Sequence, residues 1–168
     1  KHFARLLAQA GAKVVVAARR MDQLSQLVNE IQEHGGTAWP LSLDVADAKS
    51  VARCFDELAL LGPIDVVVNN AGVTVTRALL EQTEEDFDFV LNTNLKGTWL
   101  VAMEAARRMR VAQRPGNIIN IASILGERVA GGVATYAISK AAVVQTTKTM
   151  ALELARFNIR VNALMPGY

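Results

Sequence analysis

A single cysteine, Cys54, in 168 residues excludes an intramolecular disulfide and any cysteine-based metal cluster. It lies in Val51–Leu58 (VARCFDEL), a helical pattern, and reads as a small buried hydrophobe. The two histidines, His2 and His34, stand isolated, so no metal site is expected. No apolar run approaches the roughly 18 residues that span a bilayer, which speaks against a membrane protein. A basic block is also missing. Lys plus Arg number 18 and Asp plus Glu 16, and they are interspersed, leaving a net charge of +2. Nothing there would track a phosphate backbone, so no nucleic-acid partner is expected. No secretory signal is visible either, and the expected setting is cytoplasmic. What remains is an ordinary globular composition, 51% hydrophobic and 20% charged, read as one domain over residues 1–168.

Short β-branched runs alternate with longer amphipathic stretches. Lys13–Ala17 (KVVVA) predicts a strand, as do Thr37–Leu43, Ile64–Val68, Asn117–Ile121 and Ile159–Leu164. Between them fall helical patterns. Asp22–His34 carries Leu24, Leu27, Val28 and Ile31 at helical spacing, and Asp47–Leu61 follows. A long helix is predicted from an N-cap at Thr83, with Asp86 at the third position, to about Arg110; another spans Gly132–Phe157. The strands lack the alternation of a one-sided sheet, as a parallel sheet covered on both faces requires. Repeated strand–helix units predict an α/β fold with a doubly wound parallel sheet.

The opening is unusual for such a fold. His2–Ala10 (HFARLLAQA) predicts a helix ended by Gly11. A doubly wound domain normally begins with a strand and a glycine-rich turn before that helix. The chain also stops after a strand, at Met165-Pro166-Gly167-Tyr168, where a ligand-covering segment is expected. The reading is a domain truncated at both ends, which alone would bind cofactor poorly.

The chemistry-bearing residues begin with Tyr136 and Lys140 in YAISK. Four residues apart on a helix, they share a face. A tyrosine ordinarily titrates near pH ~10, too high for efficient proton exchange at neutrality, and a neighbouring cation favours its phenolate. The pair equally suits an ordinary amphipathic surface. Ser123 lies 13 residues before Tyr136, just beyond the strand NIINI, at a sheet edge where ligands of open α/β folds sit. A hydroxyl there can hold a substrate oxygen, or simply serve a turn. Asn69-Asn70-Ala71-Gly72 follows the strand IDVVV at that edge, and small residues let a ligand approach the backbone; a plain turn is the alternative. Asn94, in LNTNLKG, interrupts a helical pattern. It marks either a kink whose freed carbonyl holds a water or a tolerated exposed residue.

NNAG at 69–72, NLKG at 94–97, Ser123, YAISK at 136–140 and Pro166-Gly167 stand in one order and spacing, and together the chain resembles the compact short-chain dehydrogenases/reductases over its whole length. The resemblance implies a Rossmann-like fold and a catalytic tetrad of Asn94, Ser123, Tyr136 and Lys140. In that family the serine orients the substrate carbonyl and the tyrosine exchanges its proton. Tyr136 and Lys140 also contact the cofactor: the lysine binds the nicotinamide ribose and lowers the tyrosine's pKa, and the asparagine holds a relay water. The resemblance further implies that Asn70, Ala71 and Gly72 line the cofactor cleft, that Pro166 and Gly167 lie near the nicotinamide, and that Asp44 and Val45 flank the adenine. Asp44-Val45 equally suits a turn leading to an N-cap at Asp47.

The cofactor follows from the end of the strand KVVVA. An acid there would hold a ribose 2′-hydroxyl and repel a 2′-phosphate. The chain has Ala18, Arg19 and Arg20 instead, and a guanidinium pairs with phosphate. NADP(H) is therefore favoured over NAD(H), with Arg19 as the phosphate contact, unless both arginines merely lead into the next helix. The implied activity is hydride transfer between nicotinamide and a ketone, aldehyde or secondary alcohol, similar to 3-oxoacyl-carrier-protein reductases or general alcohol dehydrogenases. An epimerase or dehydratase using the same pair, or a non-catalytic nucleotide sensor, are the alternatives. The resemblance also implies a homodimer or homotetramer built on the two long helices. Ala141, Ala142, Val143, Met150 and Ala151 would serve that contact or the core.

Overall fold

Lys13–Ala18 and Thr37–Ser42 (β1 and β2) run parallel in register from Lys13↔Thr37 to Ala18↔Ser42. They belong to a computed structural model that describes residues 1–167; Tyr168 lies outside the described residues. The chain divides into two compact units, Lys1–Gly62 and Pro63–Tyr168. In the first, helix α1 (His2–Gln9) precedes β1, α2 (Met21–Glu33) joins β1 to β2, and α3 (Ala48–Ala59) follows β2. Leu24, Leu27, Val28 and Ile31 are buried along one face of α2, as their spacing predicts, and pack with Ala8, Val16 and Ala38. Cys54 on α3 is buried, and desolvation pushes its thiol up to about 11.

The second unit holds a three-stranded parallel sheet, β3 (Val66–Asn69), β4 (Gly116–Ile121) and β5 (Ile159–Leu164), in that order. The helices are α4 (Glu84–Leu91), α5 (Thr98–Val111) and α6 (Ala134–Leu154). Thr83 caps α4 in a reciprocal capping box with Asp86, as the sequence predicts. Every strand pair among the described residues is parallel, so the fold is the expected Rossmann-like α/β class. The pairing falls into two ladders, with β1 and β3 each bonded on one edge.

Most element ends move by one or two residues from the sequence expectation, and some of the differences have a visible cause. The strand expected at Ile64–Val68 lies at Val66–Asn69, because the Asn69 amide is buried and donates to Asn120 Oδ1 (2.9 Å) and Thr98 O (3.3 Å). The long helix expected from Thr83 to about Arg110 is two helices joined by a π-helical turn, Asn92–Gly97. The helix expected from Gly132 begins at Ala134, since Gly132 takes φ +75, a left-handed conformation suited to glycine. Its last turn tightens to a 3₁₀ turn at Ala155–Phe157. Of the residues weighed between core and subunit contact, Val143 and Met150 are buried within the chain, whereas Ala141 is exposed.

Candidate active site

The site in the second unit is assembled from the carboxyl ends of β3 and β4 and the first turns of α6. β4 ends at Ile121, and Ser123 follows as the cap of a 3₁₀ turn, Ile124–Gly126. Its Oγ accepts from Leu125 N at 3.2 Å, and the residue is buried. The serine is thus a turn serine and also a hydroxyl held at the sheet edge. The 3₁₀ turn is pressed onto α6: a Cβ on Gly126 would stand 3.0 Å from Lys140 O. Ile124 N donates to Pro166 O (3.0 Å), which brings the exposed Pro166-Gly167 segment alongside that turn.

Lys140 extends back to the strand end. Its side chain is buried, and Nζ donates to Ile121 O at 2.6 Å. The ammonium sits 5.5 Å from the centroid of the half-buried Tyr136 ring. Burial lowers the lysine's pKa from its ordinary value, because desolvation penalises the charged form. One carbonyl takes one of the three ammonium donors.

Asn94, in the π turn, is fully buried. Its amide clasps the main chain of Val73: Oδ1 accepts from Val73 N (2.8 Å) and Nδ2 donates to Val73 O (2.9 Å). Nδ2 also donates to Ser139 Oγ (3.0 Å), and Ser139 Oγ in turn donates to Tyr136 O (2.7 Å). The asparagine therefore fixes the segment after NNAG and the helix bearing Tyr136 at once. Its own carbonyl accepts from Thr98 Oγ1 (2.7 Å). The alternative of a tolerated exposed residue is overturned, since an amide this buried must be hydrogen-bonded.

Asn70, Ala71 and Gly72 are exposed beyond β3. A Cβ at Gly72 would come 3.6 Å from both Lys140 Nζ and Asn94 Oδ1. Glycine thus keeps open a small cradle bordered by the ammonium, which suits a ribose hydroxyl. In the first unit, Arg19 is exposed beyond the end of β1. Asp44 Oδ1 accepts from Ala46 N (3.0 Å), and Asp44 N donates to Ser50 Oγ (2.9 Å). Asp47 caps α3 through Lys49 N (2.9 Å). The turn reading of Asp44-Val45 is therefore observed.

Two contributors escaped the sequence reading. Ser139 lies inside YAISK, three residues after Tyr136, and its spacing was a usable signal. Gly126 gave none, because a glycine in a short turn is common and its close approach to Lys140 is a tertiary fact. No helix among the described residues is long and apolar enough to cross a membrane.

Parallel strands joined by helices, with a Tyr–Lys pair and a serine at the carboxyl end of a strand, define a Rossmann-like α/β protein of the Tyr–Lys type. The short chain dehydrogenase family model matches residues 1–168. The 3-oxoacyl-[acyl-carrier-protein] reductase FabG of Thermotoga maritima is 41% identical over 164 residues, which are 97% of this chain and 66% of that protein. Oxidoreductase UcpA of Salmonella typhimurium is 38% identical, over 99% of this chain and 63% of its own length. A crystal structure of a gluconate 5-dehydrogenase from Burkholderia cenocepacia, in complex with NADP and tartrate, superposes with a TM-score of 0.93 at 37% identity, over 98% of this chain and 65% of that one. The chain belongs to the short-chain dehydrogenase family. It spans about two thirds of the length of these relatives.

Proposed function

We propose that the protein is an NADP(H)-dependent oxidoreductase that interconverts a small ketone or aldehyde and the corresponding alcohol. The observation that carries this reading is the buried Lys140 ammonium, 5.5 Å from the Tyr136 ring and bordering the Gly72 cradle. The FabG and gluconate dehydrogenase relatives support an NAD(P)-dependent reaction, and the NADP named for the latter supports that cofactor. The site residues retain the roles the resemblance implies. Asn70, Ala71, Gly72, Pro166 and Gly167 would hold the nicotinamide end of the cofactor. Arg19 would hold the 2′-phosphate, with Asp44 and Val45 near the adenine. Bound there, the nicotinamide supplies or accepts hydride. Ser123 Oγ orients the substrate oxygen. Tyr136 gives its phenolic proton to that oxygen during reduction and takes it back during oxidation. Lys140 stabilises negative charge on the phenol oxygen and binds the ribose. Asn94 would hold a relay water through the lone pair of its main-chain carbonyl that Thr98 Oγ1 leaves free. We propose that the two units act together as one dinucleotide-binding domain, a reading supported by the family match across both. Exposed apolar side chains on α4, α5 and α6, among them Phe89, Trp99 and Leu152, support a homodimer or homotetramer.

The test is NADPH oxidation by the full-length protein against a panel of ketones, aldehydes and 3-oxoacyl thioesters. Turnover is expected with at least one. Tyr136→Phe is expected to lower kcat by about 10²–10⁴-fold, the usual contribution of a general acid, with NADPH binding retained. Binding of NADPH without turnover of any carbonyl would favour a sensor instead.

A further inference from the structure

The first turn of α6 carries Tyr136 as its third residue, and no side chain caps that helix. The opening turn of any helix lacks internal partners for its N–H groups, so its placement depends on contacts from outside. Hydrogen bonds from the segment before α4 hold both sides of the helix start. Arg77 N donates to Gly132 O (2.8 Å). Gln82 Nε2 donates to Arg77 O (3.1 Å). Thr135 Oγ1 donates to Gln82 Oε1. Residues 132 and 135, on either side of the helix start, are thereby gripped through Arg77 and Gln82. The grip is itself braced. Arg77 pairs with Asp86 Oδ2 (2.7 Å), and Asp86 also closes the capping box of α4 with Thr83. Thr135 is buried, and Gln82 is half-buried. A buried hydroxyl that loses its partner is costly, so the bond is selective for this arrangement.

We infer that Gln82 and Thr135 are positioning residues for Tyr136: together they set the first turn of α6, and through it the stance of the phenol, without touching substrate or cofactor. The inference rests on the reading of Tyr136 as the proton donor. It differs from the Asn94–Ser139 link, which holds Tyr136 from its other side, through its carbonyl. Displacing a reacting group by about 1 Å can cost on the order of a hundredfold in rate. Removing the Gln82–Thr135 bond therefore lowers kcat while leaving the KM for NADPH within about twofold, because Lys140, the ribose contact on this helix, lies a turn further on and is anchored to Ile121 O.

The experiment uses the full-length protein with Thr135→Val, Gln82→Met, their double variant and Thr135→Ser. Each single replacement is expected to lower kcat by about tenfold to a hundredfold. The double variant is expected to be no slower than Gln82→Met, because the one bond that Thr135→Val removes is already lost there along with the Gln82–Arg77 bond. Thr135→Ser, which keeps the hydroxyl, is expected to restore most of the rate. Hydrogen exchange is expected to rise in residues 133–137 of both single variants while the rest of α6 stays protected; this readout does not depend on catalysis. Unchanged kcat in both singles, additive losses in the double, or unchanged exchange at 133–137 would each overturn the inference. If the wild-type protein turns over no carbonyl, or Tyr136→Phe keeps full activity, the functional reading falls and the catalytic role of the bracket falls with it. Exchange at 133–137 would then still show whether the bracket holds the helix start.

Discussion

At the scale of the residue, Lys140 is the buried charge of the site. Its ammonium is buried against a strand-end carbonyl, and desolvation lowers its pKa. The unfolded chain holds that proton up to the ordinary lysine value of about 10.4. Between the two values the unfolded state binds more protons than the folded one, so stability rises with pH across that window. The burial cost is fully present below the folded pKa and has gone once pH exceeds the unfolded value. Lys140→Met is expected to flatten this alkaline rise, as read from urea unfolding midpoints taken between neutrality and about pH 10. An unchanged pH slope in the variant would show that the buried lysine is not its source. The sequence made Tyr136 and Lys140 neighbours on a helix face. It did not show that Lys140 would extend back to Ile121, since that contact joins residues 19 apart in the chain.

At the scale of the element, the site depends on where short turns touch long helices. The 3₁₀ turn capped by Ser123 packs so closely on α6 that a methyl group at residue 126 would need the backbone of α6 to give by a few tenths of an ångström. Gly126→Ala would place its Cβ 3.0 Å from Lys140 O and 3.1 Å from the Lys140 carbonyl carbon. These atoms belong to the Lys140–Ala141 backbone, which cannot yield by a rotamer change. The expected outcome is a loss of about 1–3 kcal/mol in unfolding free energy, typical of overpacking, accompanied by a lower kcat as the turn bearing Ser123 shifts. A variant within about 0.5 kcal/mol of wild type would contradict the contact. The π turn at Asn92–Gly97 is a second such joint. A mediocre helix former beside a glycine signalled an interruption in the sequence. The Val73 clasp that stabilises it was hidden, because its partners lie 21 residues apart.

At the scale of the whole molecule, the proposal divides labour between sequence regions. Arg19, exposed beyond β1, is assigned the 2′-phosphate. Arg19→Ala is expected to raise the KM for NADPH about tenfold or more, the worth of a charge-assisted hydrogen bond, while the KM for NADH changes little. Equal effects on both cofactors would remove Arg19 from the phosphate site. The exposed apolar side chains on α4, α5 and α6 lead to a second expectation. Light scattering of the full-length protein should give the mass of a dimer or tetramer, and Trp99→Glu together with Leu152→Glu should shift it toward the monomer. A monomeric wild type would refute the assembly.

The sequence by itself determined the order of the strands, the parallel α/β class, the buried face of α2, the Thr83–Asp86 cap and the membership of Asn94, Ser123, Tyr136 and Lys140 in one motif set. These are local or periodic features, written in spacing and residue type over a few turns of chain. Only the tertiary structure decided the burial of Asn94 and Lys140, the closeness of Gly126 to α6 and the bracket at Gln82 and Thr135. Each depends on which distant segments meet, and hydrogen bonds across 19 to 53 residues leave no periodic trace in the chain that makes them. The Tyr136–Lys140 pair shows the boundary: its spacing is local, but its environment is not.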